Sequence, residues 1–300
     1  MRTVAVTGAS GLIGTALTAA LKKRGDRVVP IGRRPPAGGV AWDLAARQID
    51  EAALEGVDAV VHLAGERIDG RWTATKKRRI LDSRVEGTEV LAEALAGLGR
   101  PPAVVVSASA VGFYGDRGDE ELTEDSPPGT GFLAEVCERW EAAAAPIASP
   151  DTRLVLARTG IVCAPDGGAL GRMLALTRLG LGGRLGNGRQ WWSWITLEDE
   201  VRALLHLLDT PVAGPMNLVA PGTCRNAEFV RTLARALRRP AVLPAPALAL
   251  RAVLGEMANG LLLASARVQP VGLEDSGFSF RSPDLTSAIA ELLSPGRVRS

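Results

Sequence analysis

The sequence predicts an α/β fold: a doubly wound parallel sheet with a smaller C-terminal lobe. Three observations point there. Short β-branched runs alternate with longer helical stretches through the first half of the chain. Those runs are almost unbroken in apolar residues, as expected where helices cover both faces of a sheet. A glycine-spaced turn joins the first run to the first helix. In order, strands are expected over residues 3–7, 27–31, 59–63, 103–107 and 154–159. Helices are expected over 12–24 (ended by Gly25), 73–98, and 132–145 (stopped by Pro146). After Gly160 the texture changes to a glycine- and arginine-rich stretch, 167–188, followed at once by Trp191-Trp192-Ser193-Trp194. A helix over 197–208, a strand over 216–219, and helices over 227–237 and 247–263 complete the chain.

Composition narrows the function classes. Thirty-five basic against 33 acidic residues leave a net charge of +2, which supplies no broad field for nucleic acid or an anionic membrane. Cys137, Cys163 and Cys224 lie far apart with no Cys-x-x-Cys pair, so neither a metal site nor a disulfide framework is expected. The stretch 241–264 is broken by Pro244, Pro246, Arg251 and Glu256 and cannot span a bilayer. With no signal-peptide pattern visible, these features together lead to the expectation of a cytoplasmic protein.

The turn Gly8-Ala9-Ser10-Gly11-Leu12-Ile13-Gly14 follows the apolar run Val4-Ala5-Val6-Thr7. Gly8 permits the tight turn, Gly11 lets a pyrophosphate approach the backbone, and Gly14 allows close helix–strand packing. The helix N-terminus then offers unpaired N–H groups to the phosphates. This is a Rossmann-type dinucleotide site. Residues 1–160 are therefore expected to form the nucleotide-binding domain, with later segments returning to it. Residues 161–300 are expected to be mainly a substrate lobe with a small C-terminal domain. The end of the second strand reads Ile31-Gly32-Arg33-Arg34, with no acidic residue between Val28 and Ala41 to bind the adenosine ribose. Two guanidiniums suit a 2′-phosphate, so NADP(H) is the expected cofactor.

With that turn the chain resembles the extended short-chain dehydrogenase/reductase superfamily, and more narrowly a branch of NAD(P)-dependent epimerase-like proteins with their own small C-terminal domain. The marks are Val61-His62-Leu63-Ala64-Gly65-Glu66, Arg71-Trp72, Ser83-Arg84-Val85-Glu86-Gly87-Thr88, and the run from Ser107 to Gly118. Further marks are Phe132 to Cys137 with Trp140-Glu141, Arg158-Thr159-Gly160, Trp191 to Ile195 with Asp199, Pro270, Gly277 to Phe280, and Pro283-Asp284-Leu285. The resemblance implies that His62, Leu63, Ala64 and Gly65 lie against the cofactor's central part, where the branch more often has Asn before Leu. It places Arg78, Ser83 and Arg84 near the cofactor's inner half. It matches Ser109, or else Ser107, to the superfamily's catalytic Ser/Thr.

One departure is plain. The superfamily's Tyr-x-x-x-Lys pair belongs on the helix over 132–145, where Leu133 and Cys137 stand instead. Tyr114 is the single tyrosine of the chain, and its i+4 residue is Gly118; the four lysines are Lys22, Lys23, Lys76 and Lys77. Tyr114, aided by Arg158 or Arg117, is the candidate proton donor, with Ser109 beside it; the alternative is a loop tyrosine packed against the second lobe. Glu66 and Glu135 are candidate bases if burial raises their pKa. Cys137 would need an activating base to act as a nucleophile, and packing is its other reading. The tryptophans either wall a pocket for a planar ligand or form the seam between lobes.

Two classes of function follow. One is an NADP(H)-dependent oxidoreductase or epimerase-like enzyme acting on an unidentified small-molecule substrate. The other is a non-catalytic NADP(H)-binding sensor or scaffold. A homodimer stays open, because the superfamily often dimerises through the helix that has changed here.

Overall fold

The computed structural model describes residues 1–294, so the last six residues of the 161–300 lobe lie outside the described residues. Its first half runs β1 (Thr3–Thr7), α1 (Leu12–Lys23), β2 (Arg27–Gly32), β3 (Val40–Asp43), β4 (Gln48–Ile49), β5 (Ala59–His62) and α2 (Ala74–Ala96). Then come β6 (Val104–Ala110), β7 (Glu121–Leu122), α3 (Phe132–Ala144), β8 (Arg153–Thr159), β9 (Ile161–Cys163) and α4 (Gly168–Arg178). The remainder is β10 (Trp191–Trp192), β11 (Trp194–Thr196), α5 (Leu197–Asp209), β12 (Gly214–Leu218), β13 (Cys224–Arg225), α6 (Asn226–Ala236), α7 (Ala247–Leu254), β14 (Arg267–Val268), α8 (Val271–Asp275) and α9 (Leu285–Leu292).

Eight strands form one sheet in the order β12-β8-β6-β5-β1-β2-β3-β4, parallel throughout except for the β3–β4 hairpin at one edge. Side chains alternate across each strand. Val4 and Val6 of β1 therefore face a core shared with α1 and α5, where Leu17, Leu21, Leu204 and Leu207 are fully buried. Ala5 between them faces the opposite core, shared with Val90 and Leu91 of α2. Burial on both faces is why these strands read as continuous apolar runs. The order of the strands reverses at β1, so β2 and β5 flank it and leave a crevice at their carboxyl ends, where open α/β sheets take ligands.

The second lobe is not a sequel to the sheet. β12 pairs with β8 from Gly214↔Val155 to Leu218↔Thr159, and α5 packs on α1. A separate core forms around Trp192, Trp194, Phe229, Leu233 and Ile289. The helix expected over 247–263 is interrupted: Gly255 adopts φ +63°, and a π-type turn over Ala258–Leu263 follows. Gly260 sits in that turn because a Cβ there would lie 3.0 Å from the Trp72 ring. The segment is held to the first lobe by Lys77 Nζ, which donates to both Glu256 carboxylate oxygens at 3.0 Å. Among the described residues, no helix is long and apolar enough to cross a membrane.

Candidate dinucleotide site and the polar network beside it

The glycine turn is built by close approach. Gly8 has φ +65°, a conformation open to glycine, and a Cβ there would lie 2.8 Å from the Leu63 carbonyl. A Cβ on Gly14 would lie 2.2 Å from the Gly8 carbonyl oxygen. Gly11 caps α1 with extended backbone and no side-chain hydrogen bond, which leaves the first-turn N–H groups of Leu12, Ile13 and Gly14 for a ligand. Ser10, Gly11 and Leu12 are exposed. Leu12 packs toward the start of α4, where a Cβ at Gly167 would meet it at 3.0 Å.

A cavity of about 840 Å³ opens beside this turn, lined by Ser10, Gly32, Arg33, Arg34, Ala41, Trp42 and Asp43. Arg33 and Arg34 are exposed there, and neither makes an ion pair or side-chain hydrogen bond among the described residues. The β3 residues Trp42 and Asp43 were missed by sequence reasoning. A four-residue strand of alternating burial gives little periodicity to recognise.

The loop after β5 is held from two sides. Thr7 Oγ1 accepts the Leu63 and Ala64 N–H groups at 3.0 Å and meets His62 Nδ1 at 2.7 Å. Thr88 Oγ1 donates to the Arg84 carbonyl at 2.6 Å and faces His62 Nε2 at 3.1 Å. Both hydroxyl protons are thereby assigned, which leaves His62 neutral with its proton on Nε2. Burial pushes its pKa down to about 4, and the nearby Arg84 charge adds to that. The His62 side chain is 0% exposed, so it supports the loop from below, while Leu63, Ala64 and Gly65 reach the surface. From the other side, Ser83 Oγ accepts the Glu66 N–H at 2.9 Å and Arg84 Nη1 donates to the Glu66 carbonyl at 3.0 Å. Arg78, on the same helix, is exposed.

The expected proton donors are committed elsewhere. Tyr114 is 0% exposed; its hydroxyl donates to Asn217 Oδ1 at 2.7 Å and accepts from Arg158 Nη1 at 3.0 Å. Burial raises its pKa despite the cation beside it, so Arg158 does not activate it as expected. Ser109 donates to Glu141 Oε1 at 2.6 Å. Arg158 grips the same carboxylate, and Asn217 donates to the Gln269 carbonyl. Tyr114 thus ties the loop after β6 to β8 and β12, and both hydrogen bonds of its hydroxyl are made inside the fold, the arrangement of a packed loop tyrosine. Ser107, the alternative match, is fully buried, and its hydroxyl has no partner among the described residues.

The remaining candidates are also revised. Lys76 Nζ, 2.7 Å from Glu66 Oε1, holds that carboxylate below its usual range, the reverse of what a base near neutrality needs. Glu135 is exposed beside Arg139. Burial pushes the Cys137 thiol up to about 12, which keeps it protonated and inert. At Gly112 a Cβ would lie 3.2 Å from Leu133 Cβ and 3.6 Å from Cys137 Sγ, so the loop after β6 rests directly on the two positions that lack Tyr and Lys. Of the tryptophans, Trp192 and Trp194 are core of the second lobe. Trp191 has the guanidiniums of Arg225 and Arg267 over its ring, 4.5 and 4.9 Å from its centre.

A glycine turn on an uncapped helix, at the reversal point of a parallel sheet, defines a Rossmann-type dinucleotide-binding protein of the extended short-chain dehydrogenase/reductase fold. The comparisons with known proteins are specific. Residues 4–219 match the model of the NAD dependent epimerase/dehydratase family, and the chain belongs to that family. Residues 245–292 match a domain of unknown function, DUF1731. The chain is 46% identical to epimerase family protein Mb2239 of Mycobacterium bovis, over 95% of this chain and 96% of that protein. It is 38% identical to epimerase family protein SDR39U1 of Homo sapiens, covering 97% of this chain and 99% of the relative. A crystal structure of the human protein (isoform 2) with NADPH superposes with a TM-score of 0.90, over 97% of this chain and 98% of that one. A nucleoside-diphosphate sugar epimerase from Corynebacterium glutamicum, 38% identical, superposes with a TM-score of 0.81 over 97% of this chain and 58% of that one.

Proposed function

We propose that the chain is an NADP(H)-binding, epimerase-like oxidoreductase. In this reading the cofactor's hydride chemistry operates without the superfamily's tyrosine–lysine pair. One observation carries the cofactor assignment: the cavity at the end of β2 is lined by Ser10 of the glycine turn together with two exposed, unpaired guanidiniums, Arg33 and Arg34. A 2′-phosphate fits that charge through charge-assisted hydrogen bonds. The human relative crystallised with NADPH supports the same choice. The N-terminus of α1 would hold the pyrophosphate, and Leu63, Ala64 and Gly65 would border the inner half. The bound group would supply hydride transfer; the chain's own part is to bind, orient and exclude water.

A second reading, a sensor or scaffold that binds NADP(H) without turnover, is favoured by the way Tyr114, Ser109, Glu66 and Cys137 are engaged or buried. Titration with NADPH, NADP⁺, NADH and NAD⁺ tests the common part, with tight binding expected only for the two phosphorylated forms. A screen of small carbonyl compounds with bound NADPH separates the readings. Oxidation of NADPH supports the enzyme. Binding without turnover, coupled to altered association with a partner protein, supports the sensor. Failure of all four dinucleotides to bind would overturn both.

A further inference from the structure

Around the loop after β5, the charged side chains shielded from solvent sit in ion pairs with one exception. Glu66 is matched by Lys76 and Glu141 by Arg158, while His62, Cys137 and Tyr114 are neutral. Arg78 and Arg79 are exposed to solvent, which screens them. Arg84 is the exception. Its Nη1 donates to the backbone carbonyls of Glu66 at 3.0 Å and Ile80 at 3.1 Å, neither of which carries a charge. Among the described residues no carboxylate lies within ion-pair distance of it, and its Nε and Nη2 hydrogens have no acceptor. A guanidinium stays protonated at any ordinary pH, so a cation with spare donors is fixed at this point.

Its place in the fold is specific. A Cβ at Gly65 would lie 3.2 to 3.4 Å from the guanidinium atoms, and Arg84 Cζ is 5.0 Å from the Trp140 ring centre. Trp140 follows Cys137 by three residues on α3, so the guanidinium faces the helix surface that carries Leu133 and Cys137. Along the sheet edge, the arginine cavity lies at the end of β2, the glycine turn at β1 and Gly65 after β5. A dinucleotide laid across those ends from β2 reaches β5 with its inner ribose and nicotinamide.

We propose that Arg84 makes the site selective for the reduced cofactor. Its spare N–H groups hold oxygens of the inner ribose. Its charge, which Glu66 offsets only at longer range because that carboxylate is paired with Lys76, opposes the pyridinium cation of NADP⁺ and leaves the neutral dihydropyridine of NADPH unopposed. This rests on the NADP(H) reading above. At an effective dielectric of about 20, like charges roughly 12 Å apart repel enough to give a preference on the order of tenfold.

The test measures dissociation constants of NADPH, NADP⁺ and adenosine 2′,5′-bisphosphate for the wild-type chain, Arg84→Lys and Arg84→Gln. The expected wild-type preference for NADPH over NADP⁺ is about tenfold. Arg84→Lys keeps it because the charge remains, and Arg84→Gln reduces it to within about twofold. The bisphosphate, which has no inner ribose, binds all three alike. Loss of the loop clamp alone would weaken NADPH and NADP⁺ equally, so an unchanged ratio in Arg84→Gln overturns the inference. Should that variant not fold, equal wild-type affinity for the two redox forms overturns it just as well. Failure of both NADPH and the bisphosphate to bind the wild type overturns the cofactor reading beneath it.

Discussion

Arg158 holds Glu141 with two hydrogen bonds, Nε to Oε1 and Nη2 to Oε2, each 2.8 Å, with the two side chains only 5% and 10% exposed. The same guanidinium lies 3.6 Å from the Phe113 ring centre and donates to the Tyr114 hydroxyl. Removing one member of such a pair leaves the other charged, buried and unmatched, at a cost of about 3–5 kcal/mol. Glu141→Ala should therefore lower the melting temperature by roughly 5–15 °C. A thermal melt within about two degrees of wild type would show that the pair is not structural.

Tyr114→Phe follows from the same network. It removes a buried hydroxyl between Asn217 and Arg158, which predicts a loss of about 1–3 kcal/mol in denaturant unfolding. NADPH affinity should stay within about twofold, because the hydroxyl has no open face. A variant as stable as wild type but with weakened NADPH binding would return Tyr114 to the ligand.

Gly14→Ala should abolish dinucleotide binding. The new methyl would sit 2.2 Å from the Gly8 carbonyl oxygen, which is fixed backbone and cannot yield as a flexible side chain would. The turn must then open and disperse the donors of α1. Retention of wild-type NADPH affinity, read by calorimetry, would mean that the phosphates bind elsewhere.

Arg33→Ala with Arg34→Ala should weaken NADPH far more than NADH, by about tenfold or more, because only NADPH carries the 2′-phosphate those guanidiniums would meet. The difference should shrink as salt rises, since both side chains are exposed. Equal losses for the two cofactors would remove the arginines from the phosphate site.

Stability should fall on both sides of an optimum in mildly acidic solution. His62 titrates at about 4 in the fold against 6.5 when free, so the unfolded chain takes up its proton first and stability is lost as pH drops through that window. Glu200 is the mirror case. Burial lifts it from 4.5 to about 8, so the unfolded chain releases its proton first and stability is lost as pH rises between those values. Each group contributes a few kcal/mol, on the order of 1.4 per pKa unit, and the two offset each other between about pH 4.5 and 6.5, which makes the optimum a plateau. Glu200→Gln should flatten the alkaline limb and His62→Asn the acid one; unfolding curves from pH 4 to 9 would show neither change if these groups titrate normally.

What the sequence disclosed follows from how each signal is encoded. The glycine turn is legible because each glycine answers a local steric demand, and the central strands because two-sided burial leaves an apolar run. The hairpin of β3 and β4 was not legible: two short edge strands alternate too briefly to register, although Trp42 and Asp43 help to line the cavity. Helix α4 was hidden by its glycines, and α9 by its brevity, though Asp284 caps it through the Ser287 N–H. Ser109 and Tyr114 were recognisable as residues near the strand ends. Their partners were not, because Glu141, Arg158 and Asn217 come from elements up to 103 positions away in sequence and meet only in the fold.

The return of β12 to the sheet edge, with α5 laid over α1, bears on how such a chain can diversify. A recombination junction after residue 160 would strip Ile195, Leu204, Leu207, Leu218 and Phe278 from the core that Val4 and Val6 share with them. The severed half would present bare hydrocarbon and an unpaired β8 edge, an aggregation hazard. The two halves of the chain are thus not interchangeable cassettes. New specificities on this scaffold must arise by substitution within loops already woven through a common interior, and the two regions are inherited together.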